Sequence, residues 1–255
     1  MSAHSRRRFS PAIRMITGCA AVTALVGVGS SPVAAQDFFL FTPRVTLGVH
    51  GGFNVARAGS EVFDFTSDNL TVESSDFSSP AIRAELAVRL TERVDVSVDV
   101  AWMATDVRSE SRDFIGTDDL PILQTTEFSQ TPITFNLKYY LKDRGQQIGS
   151  FAWVPAKIVP YLGSGVGIVR YSFVQSGEFV VEETLEIVNA RFDSATQGRL
   201  FHIMGGAEYA LTKNALVVLD GRYRWASAQM RNDWVDFDDI DLSGLSFSLG
   251  LAVRF

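Results

Sequence analysis

The sequence predicts an all-β fold, an eight-stranded antiparallel up-and-down transmembrane β-barrel. Three observations predict it. In the stretch Leu242–Phe255, Leu245, Phe247, Leu249, Leu251, Val253 and Phe255 are large and apolar. The residues between them, Gly244, Ser246, Ser248, Gly250, Ala252 and Arg254, are small or polar. Period-two alternation puts these sets on opposite faces of a strand. Seven further runs of this kind precede it, and long and short connections alternate between the runs. Each run has about 10–12 residues, enough for a tilted strand to cross the hydrocarbon of a bilayer.

The N-terminus stands apart. Arg6, Arg7, Arg8 and Arg14 form a basic region, and 15–29 form a short apolar core. Val33 and Ala35 make a small-x-small cleavage site, so residues 1–35 read as a cleaved signal peptide and 36–255 as the mature barrel. An apolar core of about 15 residues is short of the roughly 20 that a helical span needs. Two sharper readings exist. Ser5-Arg6-Arg7-Arg8-Phe9 resembles the twin-arginine export motif, which serves proteins folded before export, whereas a membrane barrel must travel unfolded. Ile16-Thr17-Gly18-Cys19 resembles a lipobox, but only Met15 and Ile16 separate Arg14 from Thr17. A plain secretory signal is the expectation.

Cleavage removes the four arginines and the single cysteine. The 23 Lys and Arg fall to 19 against 29 acids, a net charge near −10. Such a chain has no disulfide and no thiol nucleophile. It also lacks the basic footprint of a nucleic-acid binder. With no apolar run of 18 residues after the signal, a membrane protein of this sequence must be built of strands.

The runs in order are 44–56, 80–90, 94–102, 133–141, 160–171, 201–211, 215–225 and the terminal strand. The second and third are the most explicit. Ile82, Ala84, Leu86, Val88 and Leu90 face Arg83, Glu85, Ala87 and Arg89 across one strand, and Val94, Val96, Val98, Val100 and Trp102 face Asp95, Ser97, Asp99 and Ala101 across the next. A three-residue turn at Thr91–Arg93 would set Arg89 opposite Asp95 and Glu85 opposite Asp99. Four long loops are expected at 57–79, 104–128, 172–198 (part hairpin, from the strand propensity of 179–181 and 185–188) and 226–241. The connection 142–158 carries Phe151 and Trp153, placed at a membrane interface. Trp102, Phe201, Tyr223, Trp225 and Phe247 fall at the long-loop ends of outward faces, and Tyr139, Tyr209 and Phe255 at the opposite ends, as two aromatic girdles.

The segment Pro160-Tyr161-Leu162-Gly163-x-Gly165-x-Gly167 and the terminal Val253-Arg254-Phe255 carry a resemblance. The chain resembles the small eight-stranded bacterial outer-membrane barrels of the OmpA membrane-domain, OmpX and OmpW kind. The resemblance implies export to the outer membrane of a Gram-negative-type bacterium. It also implies a terminal strand (Phe247, Leu249, Leu251, Val253, Phe255) read as an assembly signal by the barrel-assembly machinery. It does not fix a function, since such motifs are shared by functionally unrelated members.

The inward set is rich in charge: Arg83, Glu85, Arg89, Asp95, Asp99, Lys138, His202, Glu208, Asp220, Arg222, Arg224 and Arg254. Eight strands enclose a bore that side chains can fill, and buried charges persist there when paired. The first expectation is therefore an ion-pair plug, and its rival is a narrow gated path for ions or apolar solutes, the latter as an OmpW likeness implies. A serine hydrolase would have to use His50 or His202, the two histidines after the signal, and both fall on the inward face. No enzyme activity and no cofactor are expected. The glycines of 163–167 make room for bulky neighbours rather than cradle a phosphate, because no helix pattern follows.

Most of the 29 acids lie in the four long loops, densest at 233–241. That patch lacks the central glycine and closing glutamate of an EF-hand, so no metal site is assigned. Divalent-bridged contact with lipopolysaccharide is one reading of the acids. A partner surface built on Phe63, Phe65, Phe77, Phe114, Phe179 and Trp234 is another. The expected role is non-enzymatic, in envelope integrity or surface contact, for a monomer whose partners are outer-membrane lipid and lipopolysaccharide.

Overall fold

The computed structural model describes residue 40 and residues 42–116, 119–149, 152–181, 184 and 186–255. The expected signal peptide, the cleavage site at 35/36, Cys19 and Phe151 lie outside the described residues. Eight long strands form a closed antiparallel ring: β1 (Val45–Ala56), β2 (Ser79–Arg89), β3 (Val94–Ile115), β4 (Pro121–Tyr140), then β7 (Ile158–Val180), β8 (Ile187–Ala210), β9 (Ala215–Ala228) and β11 (Gly244–Arg254). A small hairpin, β5 (Gly145–Ile148) and β6 (Ala152–Pro155), sits between β4 and β7, and β10 (Ile240–Asp241) pairs with β9. The ring closes where β1 pairs with β11, from Thr46↔Arg254 to Ala56↔Gly244. Phe255 takes part: its N–H donates to Val45 O at 3.0 Å, and Arg44 N–H donates to Phe255 O at 3.0 Å.

The alternation read from the sequence sets the two faces. Large apolar residues such as Val49, Ile82, Phe135, Leu162, Leu219 and Leu251 stand exposed on the outside, while His50, Arg83, Asp99, Asn136, Tyr161 and Asp220 are buried within. In water this would be an inverted protein. In hydrocarbon it is the stable one, because every backbone amide of a closed ring is paired and the apolar row faces lipid. Ring contacts lie where the loop-end girdle is expected, with Phe201 stacked on Trp225 at 5.6 Å and Tyr223 edge-on to Trp225 at 4.6 Å.

One of the four expected loops, 104–128, is strand instead, and the part hairpin expected in 172–198 extends through most of that segment. Residues 104–128 continue the β3–β4 hairpin up to a bulge between Glu110 and Ile115, and 172–198 continue β7–β8 to Val180↔Ile187. Both hairpins stand well beyond the roughly 10 residues a span requires. The alternation weakens there because neither face meets lipid.

The first long loop folds back over the barrel mouth. It forms α1 (Glu61–Asn69) and a short 3-10 turn, Ser74–Phe77. E-V-F-D-F-T-S-D-N is rich in β-branched, aromatic and Asx residues, a poor helix former, so packing holds it. Phe63 lies 4.7 Å from Phe77, 5.5 Å from Phe128 and 6.0 Å from Phe173. Trp234 from the fourth loop packs edge-on to Phe173 at 5.4 Å. Backbone–side-chain bonds tie the two loops: Asp241 N–H donates to Ser60 Oγ at 3.0 Å and Asp238 N–H to Glu61 Oε2 at 3.2 Å. The result is an apolar cap over the long-loop end. Phe63, Phe77 and Trp234, expected on a partner surface, are buried inside it.

The other end is closed as well. The β5–β6 hairpin places Trp153 beneath the lumen, 3% exposed, with the guanidinium of Arg254 over its ring at 5.2 Å and that of Arg89 at 5.8 Å. Trp153 is therefore a stopper of the mouth, not an interfacial anchor as expected. The hairpin is too short to be identified from period two, and an isolated Trp on a polar connection carries no sign of which side it packs on.

The glycines of β7 have the role expected of them. A Cβ on Gly165 would stand 2.2 Å from Asn136 Oδ1 and 2.7 Å from His202 Cε1, and one on Gly167 would stand 2.0 Å from the carbonyl oxygen of Ile133. Gly167→Val has to push β4 from β7, overpacking worth at least about 1–3 kcal/mol. We expect refolding yield, read as the heat-modifiable band on unboiled gels, to fall sharply for this variant. Gly51→Ala, with nothing within 4 Å of its new methyl, should refold like wild type.

Candidate functional site: a plugged lumen

Inward residues such as Arg83, Glu85, Asp95, Asp99, Lys138, His202, Glu208 and Asp220 are buried, and the β2–β3 register sets Arg89↔Asp95 and Glu85↔Asp99 as the three-residue turn requires. The ion pairs, however, do not follow the register. Arg89 is paired with Glu92 in the turn, and Asp95 accepts from Arg144 Nη1 at 2.6 Å. Glu85 is paired with Lys138, and Asp99 with Arg222. In a bore this narrow, long side chains reach a neighbour's neighbour or the opposite wall more easily than they fold against the residue beside them.

The centre of the bore is one network. Arg83 Nη1 donates to Asp220 Oδ1 at 2.9 Å and lies 3.6 Å from Asp99, and Arg222 Nε donates to Asp220 Oδ1 at 2.6 Å. Arg222 also lies 3.7 Å from Glu85. Tyr161 closes the set, its hydroxyl donating to Asp220 Oδ2 at 2.6 Å while its ring carries the Lys138 ammonium at 4.9 Å. Below this lies a second layer. The Tyr140 hydroxyl is 2.6 Å from Glu208 and 3.1 Å from Asp95, and Arg144 stacks over the Tyr140 ring at 4.4 Å. The apolar side chains of Met204, Leu216 and Val218 fill the space around these tyrosines.

Arg144 was missed by sequence reasoning. It lies outside any alternating run and enters the bore from below on the turn before β5. Arg224, by contrast, was assigned inward but is not part of the ion-pair layer: Nη2 donates to Gln130 Oε1 at 2.7 Å and Nε to Leu242 O at 3.0 Å. Arg254 donates from Nε to Lys213 O at 2.7 Å.

Both histidines are buried. His50 Nδ1 is 2.9 Å from Arg83 Nη2, and its Nε2 is 3.8 Å from Glu85. His202 packs against Gly165 on β7. Neither has a serine hydroxyl as a hydrogen-bond partner among the described residues. The outer acids are partly used for local structure: Asp233 Oδ2 accepts from Asp193 N–H at 2.9 Å, and Asp241 Oδ1 accepts from Ser243 N–H at 2.9 Å. Among the described residues no three His, Cys, Asp or Glu side chains gather as a metal site.

A ring of eight antiparallel strands with lipid-ready outer rows matches one family model, described as "Outer membrane protein beta-barrel domain", over residues 21–255. The chain belongs to that family. It is an outer-membrane β-barrel. No curated protein matches it. Among solved structures, Neisserial surface protein A (NspA) is similar at 14% identity, with 86% of this chain and 98% of that chain covered and a TM-score of 0.46. OprG from Pseudomonas aeruginosa is similar at 14% identity, 85% and 99% coverage and a TM-score of 0.47. Ail of Yersinia pestis is similar at 11% identity, 84% and 100% coverage and a TM-score of 0.42.

Within this barrel, breaking the network is costlier than building it was beneficial, since removing one partner leaves the others buried and unpaired. Arg222→Glu would add a carboxylate beside Glu85, Asp99 and Asp220. We expect it to lose about 3–5 kcal/mol in urea unfolding from lipid vesicles. A loss below about 1 kcal/mol would mean that water, not Arg222, screens those acids.

Proposed function

We propose that this protein is a closed, non-enzymatic outer-membrane barrel that acts at the cell surface, in envelope integrity or contact, through its acidic outer segments. The observation that carries this reading is that three successive layers obstruct the bore: the aromatic cap, the central Arg83–Asp99–Asp220–Arg222 network, and Trp153 with Arg144 below. A conducting path would have to break all three. The two histidines available to a hydrolase are engaged in lumen packing, which also supports a non-enzymatic role.

What the barrel offers outward is its two projecting hairpins. The β3–β4 tip carries Phe114, Ile115, Leu120 and Leu123 exposed, next to Glu110 and Asp113. Lipid and lipopolysaccharide are the proposed surroundings of a monomer, inserted by the barrel-assembly machinery.

Planar-bilayer recording tests the closed state. The refolded 36–255 chain should be silent, and Trp153→Ala should be silent too, because the central layer still blocks the bore. Discrete, reproducible steps from wild type would replace this reading with that of a small pore. The surface role is read in cells displaying equal amounts of wild type or the tip variant F114S/I115S/L123S. Detergent sensitivity or auto-aggregation should differ between them, and identical behaviour would remove the tip from the proposal.

A further inference from the structure

Between the central network and the aromatic cap lies a cavity of about 60 Å³. Its wall is of two kinds. Ala101, Met103, Pro132 and Leu200 are apolar, while three cations (Arg83, Arg222, Arg224) face two carboxylates (Asp99, Asp220). Arg83 and Arg222 are both committed to those carboxylates. Arg224 is the remainder.

Arg224 is 5% exposed, and among the described residues no carboxylate oxygen lies within 4.0 Å of it. Asp241, the acid on the adjoining strand β10, is turned toward Arg57 at 3.7 Å and the Gly59 amide at 3.2 Å. A guanidinium has five N–H donors and stays protonated in proteins. Two of Arg224's donors reach oxygen, at Gln130 and Leu242, while both terminal nitrogens also lie 3.7 Å from Met103 Sδ, a weak acceptor on the cavity wall. His202 lines the same cavity, 3% exposed, and its Nε2 has no hydrogen-bond partner among the described residues. A buried cation whose hydrogen bonds all go to neutral groups, with no carboxylate in ion-pair contact, is costly. Here it borders a space with an excess of positive charge.

We propose that this cavity is a binding site for one small monovalent anion, a halide or a carboxylate of formate or acetate size, with Arg224 as its principal ligand and the His202 ring beside it. Size sets the class. A water's share of liquid volume is about 30 Å³, so the space admits a halide with one water or a small carboxylate, and excludes phosphate esters and sugars. The apolar walls set the preference. Met103, Pro132 and Leu200 give nothing back for a lost hydration shell, so bromide and iodide should bind better than fluoride. The anion would neutralise the upper bore just under the cap, without entering the ion-pair layer.

Bromide is the probe. Crystals of the refolded barrel grown in bromide should show an anomalous peak in the cavity, within hydrogen-bond distance of the Arg224 guanidinium. Arg224→Met, which removes the charge at similar length, should lose the peak, and Arg224→Lys should keep it. In solution, exchanging gluconate for bromide should raise the melting temperature of wild type and leave Arg224→Met unmoved. A cavity holding only water in wild-type crystals would overturn the proposal. So would a bromide peak that persists in Arg224→Met. Because the wild-type crystal alone can refute the site, the test stands even if a variant fails to refold.

Discussion

In hydrocarbon an unpaired backbone amide has no water to turn to and costs several kcal/mol. Everything else in this barrel depends on that constraint. It requires the ring to close, and β1 meets β11 over the whole length of both strands. Closure then fixes register, since a slip of one residue would turn every lipid-facing side chain inward. With register fixed, the inward row is forced into a narrow bore. The apolar outer row could be almost any aliphatic sequence, but the inner one has to solve a packing problem.

The solution has a clear physical logic. The middle layers are charged because polar alternation puts carboxylates and guanidinium groups there, and they pair across the bore, although Arg83 Nε, Asp99 Oδ1 and Arg222 Nη2 have no hydrogen-bond partner among the described residues. Replacing such a network with apolar residues is often neutral or even stabilising, so stability alone does not explain it. What it gives is a wall of fixed charge of both signs across the bore. The ends are sealed by a different principle: Phe63, Phe77, Phe128, Phe173 and Trp234 above, and Trp153 below, exclude water by packing.

The sequence made the eight strands, their faces and the β2–β3 register legible, because period two is strict wherever lipid lies on one side. Where lipid ends the pattern ends: 104–128 reads as a loop and 172–198 as a loop with part hairpin, although the hydrogen-bonded ladder continues far into both. Helix α1 was invisible for a related reason: its residues have no helical preference of their own, and Phe63 is held by Phe77 in the same loop and by Phe128 and Phe173 on distant strands. Register predicted which residues stand opposite, such as Glu85 and Asp99, but not which ones pair. Pairing depends on side-chain reach across the bore, and on Arg144, whose place is set by a turn and not by alternation.

The strand that seals the ring is the last of the eight in chain order. Leu245 through Phe255 must find Val45 through Val55 across some two hundred intervening residues, and the most separated pairing in the chain is the one that removes the last free edge. Contacts of such separation form slowly, since the entropy of closing the loop is lost before any of them is gained. No N-terminal fragment can therefore be a finished object. Until the eighth strand is made, the other seven present two open edges, each a template for pairing with another chain. The fate of this chain in the cell is decided in that interval, by whatever holds the edges apart until Phe255 arrives.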